Sequence, residues 1–196
     1  MPKLLSKTHL TKKRTKGFTV TELLIGIAIA GILLSVAVPS LSEYMVQSRV
    51  DNEISELHRI MLSARNTAIN SGKNVTVCPL NGATCGTNWQ NELSVFVNDA
   101  NTLVNNQSYD SDSEELIKVK GQASNGDTLK FSQNIIIFAP TGRLVSGGNG
   151  NFSYCPKGYS TLSRSIVISL SGRVYASSDT DDDGKDENRN GTDVSC

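Results

Sequence analysis

The sequence predicts an α+β protein in which one long N-terminal helix packs on an antiparallel β-sheet domain. Three observations support this fold class. An apolar run fills residues 18–38, apolar residues then recur at helical spacing as far as Ala68, and the pattern becomes strand-like after Gly72. Because the strand-like runs are short and closely spaced, they favour antiparallel pairing, and the apolar side of the helix supplies a surface for the sheet.

Charge is unevenly distributed along the chain, although its 19 Lys+Arg and 19 Asp+Glu cancel formally. Residues 1–17 hold six basic residues and no acidic one, so their charge is +6. The rest of the chain keeps the other 13 basic residues and all 19 acidic ones, which makes it acidic. This distribution excludes a domain that binds nucleic acid through bulk positive charge. The 38% of hydrophobic residues excludes a disordered chain and a polytopic membrane protein.

Residues 18–38 are a candidate membrane-spanning helix, since about 20 apolar residues cross the hydrocarbon core of a bilayer. The basic residues before this run orient the N-terminus towards the cytoplasm, which places residues 39–196 outside the inner membrane. A secretory signal peptide and a plain signal anchor are the alternatives. Neither explains Glu22, the single charge in the run, because an acid inside a membrane is costly and indicates a function.

The residues Gly17-Phe18-Thr19-Val20-Thr21-Glu22, the apolar run and Pro39 together resemble the leader of type IV pilins and pseudopilins. The resemblance implies that prepilin peptidase cleaves after Gly17 and that the new amine of Phe18 is methylated. It also implies that Glu22 pairs with the N-terminal amine of a neighbouring subunit. An unpaired buried charge is costly, so this pairing would set the assembly register.

The helix is expected to continue beyond the membrane span and to bury one apolar stripe. Pro39, with glycines before it, allows a bend, and the Asn70-Ser71-Gly72 sequence is expected to end the helix. The stripe consists of Val50, Ile54, Leu57, Met61, Ala64 and Ala68.

Seven strands are predicted after the helix, separated by turns rich in Asn, Gly and Ser. Residues 98–115 are polar and are expected to form an exposed, irregular loop. The predicted strands are Asn74–Cys78, Leu93–Asn98, Leu116–Lys120, Thr128–Phe131, Ile135–Ala139, Ser165–Ser171 and Arg173–Ala176.

The order of short motifs in this region is similar to the GspH/FimT branch of minor pilins. The similarity favours a FimU- or FimT-like pilus subunit over a secretion pseudopilin. The motifs are Val75-Thr76-Val77-Cys78-Pro79, Trp89, Val95-Phe96-Val97-Asn98, Gly142-Arg143, Cys155 and Ile166-Val167-Ile168-Ser169 followed by Gly172-Arg173.

All four cysteines lie in the part predicted to be periplasmic, where disulfides form. Of the three pairings, we predict Cys78–Cys85, which closes a small loop, and Cys155–Cys196, which ties the last residue to the body. A metal site is the less favoured alternative, because the cysteine spacing is not that of zinc sites. An intermolecular bond through the terminal cysteine is another alternative.

The C-terminal tail opens like a calcium loop. Asp179, Asp181 and Asp183 alternate and precede Gly184, so their carboxylates can turn towards one point. The twelfth position holds Asn190 where an EF-hand has Glu, and Glu187 or Asp193 would have to complete the site. The alternative is a solvated acidic tail held only by its terminal cysteine.

Two function classes are disfavoured by the sequence. Its motifs do not include those of common hydrolases or phosphate loops, so we predict that the protein is not an enzyme. Some FimT-like relatives bind DNA through Gly-Arg-x-Arg, but Tyr175 replaces the second Arg here, and the acidic tail opposes phosphate. If DNA bound, Arg143, Arg164 and Arg173 would be the contacts.

The sequence therefore predicts a minor type IV pilin that helps to initiate pilus assembly near the tip. The alternatives are a type II secretion pseudopilin and a DNA receptor. The expected partners are prepilin peptidase, the inner-membrane assembly platform, other minor pilins and the major pilin. The predicted segments are a cleaved leader (1–17), a transmembrane and filament-core helix (18–47), a periplasmic domain (48–178) and an acidic tail (179–196).

Overall fold

The computed structural model describes residues 17–98, 108–145 and 149–196, apart from the side chain at position 39. The chain divides into two compact units, residues 1–42 and residues 43–196. Helix α1 (Val20–Ser71) begins in the first unit and ends in the second. It is helical at position 39, and the predicted bend there stays a prediction.

The second half of α1 buries the stripe that the sequence predicts. All six predicted positions are buried, and Ile60 is buried beside them. The helix ends as expected at Gly72, which has a φ of +68° and donates its N–H to the carbonyl oxygen of Ala68 at 3.1 Å. A left-handed residue at this position is favoured as glycine because it has no Cβ.

The strands form two antiparallel sheets, not the one sheet that the sequence suggested. The strands of the first sheet are β1 (Val75–Asn81), β2 (Thr84–Cys85), β3 (Leu93–Val97), β4 (Glu115–Lys120) and β6 (Ile136–Phe138); those of the second are β5 (Thr128–Phe131), β7 (Gly150–Cys155), β8 (Arg164–Ile168) and β9 (Val174–Ala176). In the first sheet the order is β2-β1-β3-β4, and β6 also pairs with β1. In the second the order is β5-β7-β8-β9.

Strand β7 is the element whose omission hid the second sheet, because it pairs with both β5 and β8. Phe152 and Tyr154 are fully buried, whereas the alternating residues Asn151 and Ser153 are only partly buried. This alternation is the usual strand signal, but only two apolar side chains express it in a segment otherwise rich in Gly, Asn and Ser. Strand β2 was also missed, since a two-residue strand has no periodicity.

One apolar core joins α1 to both sheets. Its aromatic centre is formed by Trp89, Phe131 and Phe152, with the two phenylalanine rings stacked at 4.2 Å and Trp89 edge-on to both. The indole N–H of Trp89 donates to the carbonyl oxygen of Gln133 at 2.8 Å, so the one polar atom of this ring is satisfied.

A buried carboxylate, Asp127, links the helix to the second sheet. Arg49 of α1 places Nη2 3.1 Å from Oδ1 and Nε 3.0 Å from Oδ2. The hydroxyl of Tyr154 donates to Oδ2 at 2.6 Å, and the backbone N–H of Lys157 donates to Oδ1 at 2.9 Å. Burial is the larger cause, and the hydrogen bond to Asp127 the next, of a pKa of Tyr154 that lies well above its usual value. Nearby, Lys120 and Glu53 form a second ion pair, with 2.6 Å between Nζ and Oε2.

Both predicted disulfides are present. Cys78–Cys85 links β1 to β2, and Cys155–Cys196 links the end of β7 to the last residue. The four cysteines of the sequence are all used in these two bonds, so none of them is free.

Candidate functional site

In the first unit, the described part of the helix exposes its apolar side chains. Within the described residues, α1 is long and apolar enough to cross a membrane by length and composition. An apolar surface of this extent is stable only when lipid or another protein covers it. The exposed large apolar residues here include Leu23, Leu24, Ile25, Ile27, Ile29, Ile32, Leu33 and Leu34.

Glu22 caps the helix in which it lies. The backbone N–H of Thr19 donates to Oε2 of Glu22 at 2.9 Å, and the backbone N–H of Glu22 reaches the hydroxyl of Thr19 at 3.2 Å. This reciprocal arrangement is a capping box, which satisfies two N–H groups at the start of a helix. Its Thr-x-x-Glu signature is visible in the sequence and could have predicted the cap.

Cleavage and methylation were predicted at Gly17 and Phe18, which lie just before the helix. Phe18 is 89% exposed, and a Cβ added at Gly17 would meet no atom within 4 Å. The segment is therefore open in the single chain. The rest of the predicted leader, residues 1–16, lies outside the described residues.

The acidic tail gathers the carboxylates that the sequence proposed as calcium ligands. Oxygens of Asp179, Asp181, Asp183 and Glu187 all lie within 4.8 Å of one another. Asp193, the other residue considered for completing the site, lies outside this group, and its carboxylate accepts a hydrogen bond from Lys185 Nζ at 2.8 Å. The same ammonium lies 3.0 Å from Oδ2 of Asp183. Hydrogen bonds from Lys185, mainly from its backbone N–H and secondly from its ammonium, lower the pKa of Asp183 below its usual value.

Backbone N–H groups fold the loop around its carboxylates. Asp179 accepts hydrogen bonds from the N–H groups of Asp182 at 2.8 Å and Gly184 at 2.9 Å, and Asp181 accepts one from Asp183 at 3.2 Å. Such bonds bend the chain so that alternate side chains point the same way. The loop geometry therefore follows from the spacing of the aspartates.

A buried ion pair ties the tail to the body of the domain. Asp186 is 1% exposed and pairs with Arg164 at the start of β8. It also accepts a hydrogen bond from the hydroxyl of Ser177 at 2.6 Å. Arg164 in turn lies 3.4 Å from Asp51 of α1. This connection could not be predicted from the sequence, since no local pattern relates residues this far apart in the chain.

The three arginines considered for DNA contact do not form one group. Arg143 and Arg173 follow two turns that lie against each other, because the N–H of Leu144 donates to the carbonyl oxygen of Leu170 at 3.1 Å. Arg164 lies at the opposite end of β8 and is paired with acidic residues. Tyr175, at the position of the missing arginine, has its pKa lowered by Arg173 and Arg189.

These two turns repeat one backbone arrangement. In each, a glycine at positive φ, Gly142 at +73° or Gly172 at +75°, precedes an arginine whose carbonyl oxygen accepts a hydrogen bond from the residue four positions earlier. Arg65 of α1 donates from Nε to the carbonyl oxygen of Gly142 at 2.9 Å. The Gly-Arg pairs therefore have structural roles at the ends of strands.

Comparison with known proteins gives two family matches. The profile of the family described as "Type II transport protein GspH" matches residues 53–172, and the profile described as "Prokaryotic N-terminal methylation motif" matches residues 12–38. The first match covers most of the second unit, and the second includes the predicted cleavage site and Glu22.

Similar proteins are fimbrial. The chain is 38% identical over 63 residues to a "Fimbrial protein" of Pseudomonas aeruginosa, which is 32% of this chain and 40% of that protein. It is 39% identical over 67 residues to the "Type IV major fimbrial protein FimA" of Dichelobacter nodosus, which is 34% of this chain and 42% of that protein. The matched segment thus spans about two fifths of each relative.

A solved structure supports the fold. The type IV minor pilin FimU of Pseudomonas aeruginosa matches with a TM-score of 0.50 and 20% identity, covering 68% of this chain and 89% of that one. This likeness agrees with a long N-terminal helix packed on antiparallel sheets.

Proposed function

We propose, from its membership of the family of type II transport protein GspH, that this chain is a minor type IV pilin that helps to initiate pilus assembly. In this proposal it is a structural subunit that is made as an inner-membrane precursor and enters the pilus near its tip. The observation that supports this most strongly is the N-terminal methylation motif over residues 12–38, which includes the exposed apolar start of α1.

Each segment has a proposed role. Residues 1–17 are the leader that prepilin peptidase removes after Gly17, before methylation of Phe18. Residues 18–47 span the inner membrane and then join the filament core, while residues 48–178 present the periplasmic surface to other subunits. The proposed partners are the assembly platform, the major pilin and other minor pilins, and the fimbrial relatives favour a pilus over a secretion system.

Glu22 has two roles to be separated, because it caps its own helix and is proposed to set the register between subunits. In the first role its carboxylate accepts a backbone N–H, which a glutamine side chain can also do. In the second role it must carry a negative charge that pairs with the N-terminal amine of a neighbour. Replacing Glu22 with glutamine therefore keeps the cap and removes the charge.

The test compares three variants of the chain in cells whose own copy is deleted. We expect Glu22→Ala and Glu22→Gln both to accumulate in the inner membrane but to be lost from sheared pili. Glu43→Gln is the matched control, since Glu43 is an exposed acid in the same helix, and we expect this variant to be incorporated normally. Immunoblots of membrane and sheared-pilus fractions measure the distribution. Normal incorporation of Glu22→Gln would reject the register role and leave only the cap.

A second candidate function is that of a type II secretion pseudopilin, which the description of the matched family favours. Deleting the gene distinguishes the two functions, because loss of a pilin reduces surface pili while secretion through the type II system continues. The opposite result, with normal pili and blocked secretion, would support the pseudopilin and reject the pilin.

A further inference from the structure

We propose that the C-terminal tail binds one Ca²⁺ ion through Asp179, Asp181, Asp183 and Glu187. This function is independent of the role in the pilus, since it concerns the tail alone. The first observation is the grouping itself: one oxygen from each of the four carboxylates lies within 4.8 Å of the others, and all four residues come from a nine-residue segment.

The second observation is an unsatisfied buried oxygen in the same group. Glu187 is only 5% exposed, and its Oε2 accepts hydrogen bonds from both the N–H and the hydroxyl of Thr180. Its Oε1 is buried and has no hydrogen-bond partner within the part of the chain that the structure describes. A carboxylate oxygen left in this condition is costly, and a cation bound to the group would satisfy it.

Spacing and ligand chemistry select calcium. Ca²⁺ takes six to eight oxygen ligands at about 2.3–2.6 Å, so oxygens on opposite sides of one ion lie about 4.8 Å apart. Asp179, Asp181 and Asp183 occupy the first, third and fifth positions of a calcium loop, and Gly184 has the positive φ of +85° that the sixth position requires. Glu187 then occupies the ninth position, and it is the buried member of the group.

Charge gives the binding a structural consequence. The four carboxylates repel one another, and the ammonium of Lys185 reaches only Asp183 among them. A bound divalent cation balances half of the charge of the four carboxylates and fixes the two ends of the loop relative to each other. Glu187 forms isolated antiparallel β-bridges with both Ser178 and Asp193. Ordering the loop therefore also orders the chain that leads to Cys196.

The experiment titrates calcium into the full-length chain in detergent micelles after chelation of bound metal. Binding is measured by isothermal titration calorimetry in about 0.15 M NaCl, because salt at this concentration screens diffuse ionic attraction. We expect one ion per chain with a dissociation constant on the order of 10⁻⁴ M, which is typical of extracellular modules. Magnesium is expected to bind at least tenfold more weakly, because it requires a smaller octahedral site.

Two variants each remove one negative charge, at neighbouring positions of the loop. Asp181→Asn removes a proposed ligand and is expected to weaken calcium binding at least tenfold. Asp182→Asn is the matched control, because Asp182 lies in the same loop outside the group of four, and asparagine tolerates its φ of +62°. We expect its affinity to stay within twofold of that of the unmodified chain. Glu187→Gln, which removes the charge of another proposed ligand, is a third variant. Trp89 fluorescence checks that the domain of each variant is folded.

Three results would overturn the proposal. The first is the lack of a saturable heat up to about 10 mM calcium, which is above the range of known extracellular sites. The second is an equal loss of affinity in Asp181→Asn and Asp182→Asn, since this indicates a diffuse cloud of acidic charge. The third is equal affinity for magnesium, which contradicts a calcium-sized site.

Discussion

Asp127 and Tyr154 show how single polar residues hold the helix to the second sheet. Asp127 follows a predicted Asn-Gly turn, where a sequence pattern suggests an exposed residue. Its burial depends on Arg49, which lies 78 positions earlier, and on the hydroxyl of Tyr154. Neither contact is visible in local sequence, because each requires the folded arrangement of α1 and β7. Long-range polar contacts of this kind are the part of the structure that the sequence could not predict.

The first prediction concerns Tyr154→Phe and alkaline pH. The pKa of Tyr154 is raised in the folded chain, so above pH 10.0, its ordinary value, the folded state binds more protons than the unfolded state. The free energy of unfolding therefore falls as pH rises through this range. We expect Tyr154→Phe to lower stability by about 1–2 kcal/mol at neutral pH, through the lost hydrogen bond, and to make the alkaline fall shallower.

Denaturation followed by the fluorescence of Trp89, the single tryptophan and a buried one, measures this effect at several pH values. Tyr44→Phe is the control, since Tyr44 is 67% exposed. An alkaline fall that is equally steep in Tyr154→Phe and in the unmodified chain would contradict the role given to this hydroxyl.

Among the elements, the helix and most strands could be predicted and the pairing of the sheets could not. The apolar stripe of α1 from Val50 to Ala68 is expressed at many positions, so its period is clear. Strand β7 expresses the strand period with only Phe152 and Tyr154, and it was missed. Without it, β5 had no partner and β8 had only β9, so the second sheet could not be recognised. The carboxylates of the tail were located because their spacing is local.

The second prediction concerns the paired turns at Gly142 and Gly172. A Cβ at Gly172 would lie 1.9 Å from the carbonyl oxygen of Gly142, which is backbone and has little room to move. We expect Gly172→Ala to lower the free energy of unfolding by about 3 kcal/mol or more, since a clash adds to the strain of positive φ. Gly191→Ala is the control, because Gly191 has a similar φ of +74° with no atom near its Cβ.

Only the strain of about 1–2 kcal/mol is expected for the control variant. Urea denaturation of the two variants measures the difference. Equal losses would show that the contact between the turns has no energetic weight.

The third prediction compares the two disulfides. Cys155–Cys196 closes a sequence separation of 41 residues and Cys78–Cys85 one of 7. In the loop-entropy model their removal costs about 4 and about 2.5 kcal/mol respectively. We therefore expect the paired serine variant at Cys155 and Cys196 to unfold at lower urea concentration than the one at Cys78 and Cys85. The reverse order would show that the tail bond contributes less than its loop length implies.

At the scale of the whole molecule, the chain has two parts. One is an exposed apolar helix, which lipid or other protein must cover, and the other is a domain with its own apolar core. A filament of such chains would cover the helices with one another and leave the domains on the outside. This division explains why the N-terminal charge and the acidic tail are separate features. In the proposed function, the basic leader would direct insertion into the membrane, whereas the tail would belong to the part that faces outwards.

Mass spectrometry of sheared pili tests the central claim most directly, because it reports both processing and incorporation. If the chain is a pilus subunit, we expect it in the pilus fraction with an N-terminal peptide that begins with N-methylated Phe18. A chain that keeps residues 1–17, or one that is processed and found only in the membrane of piliated cells, would contradict the proposal.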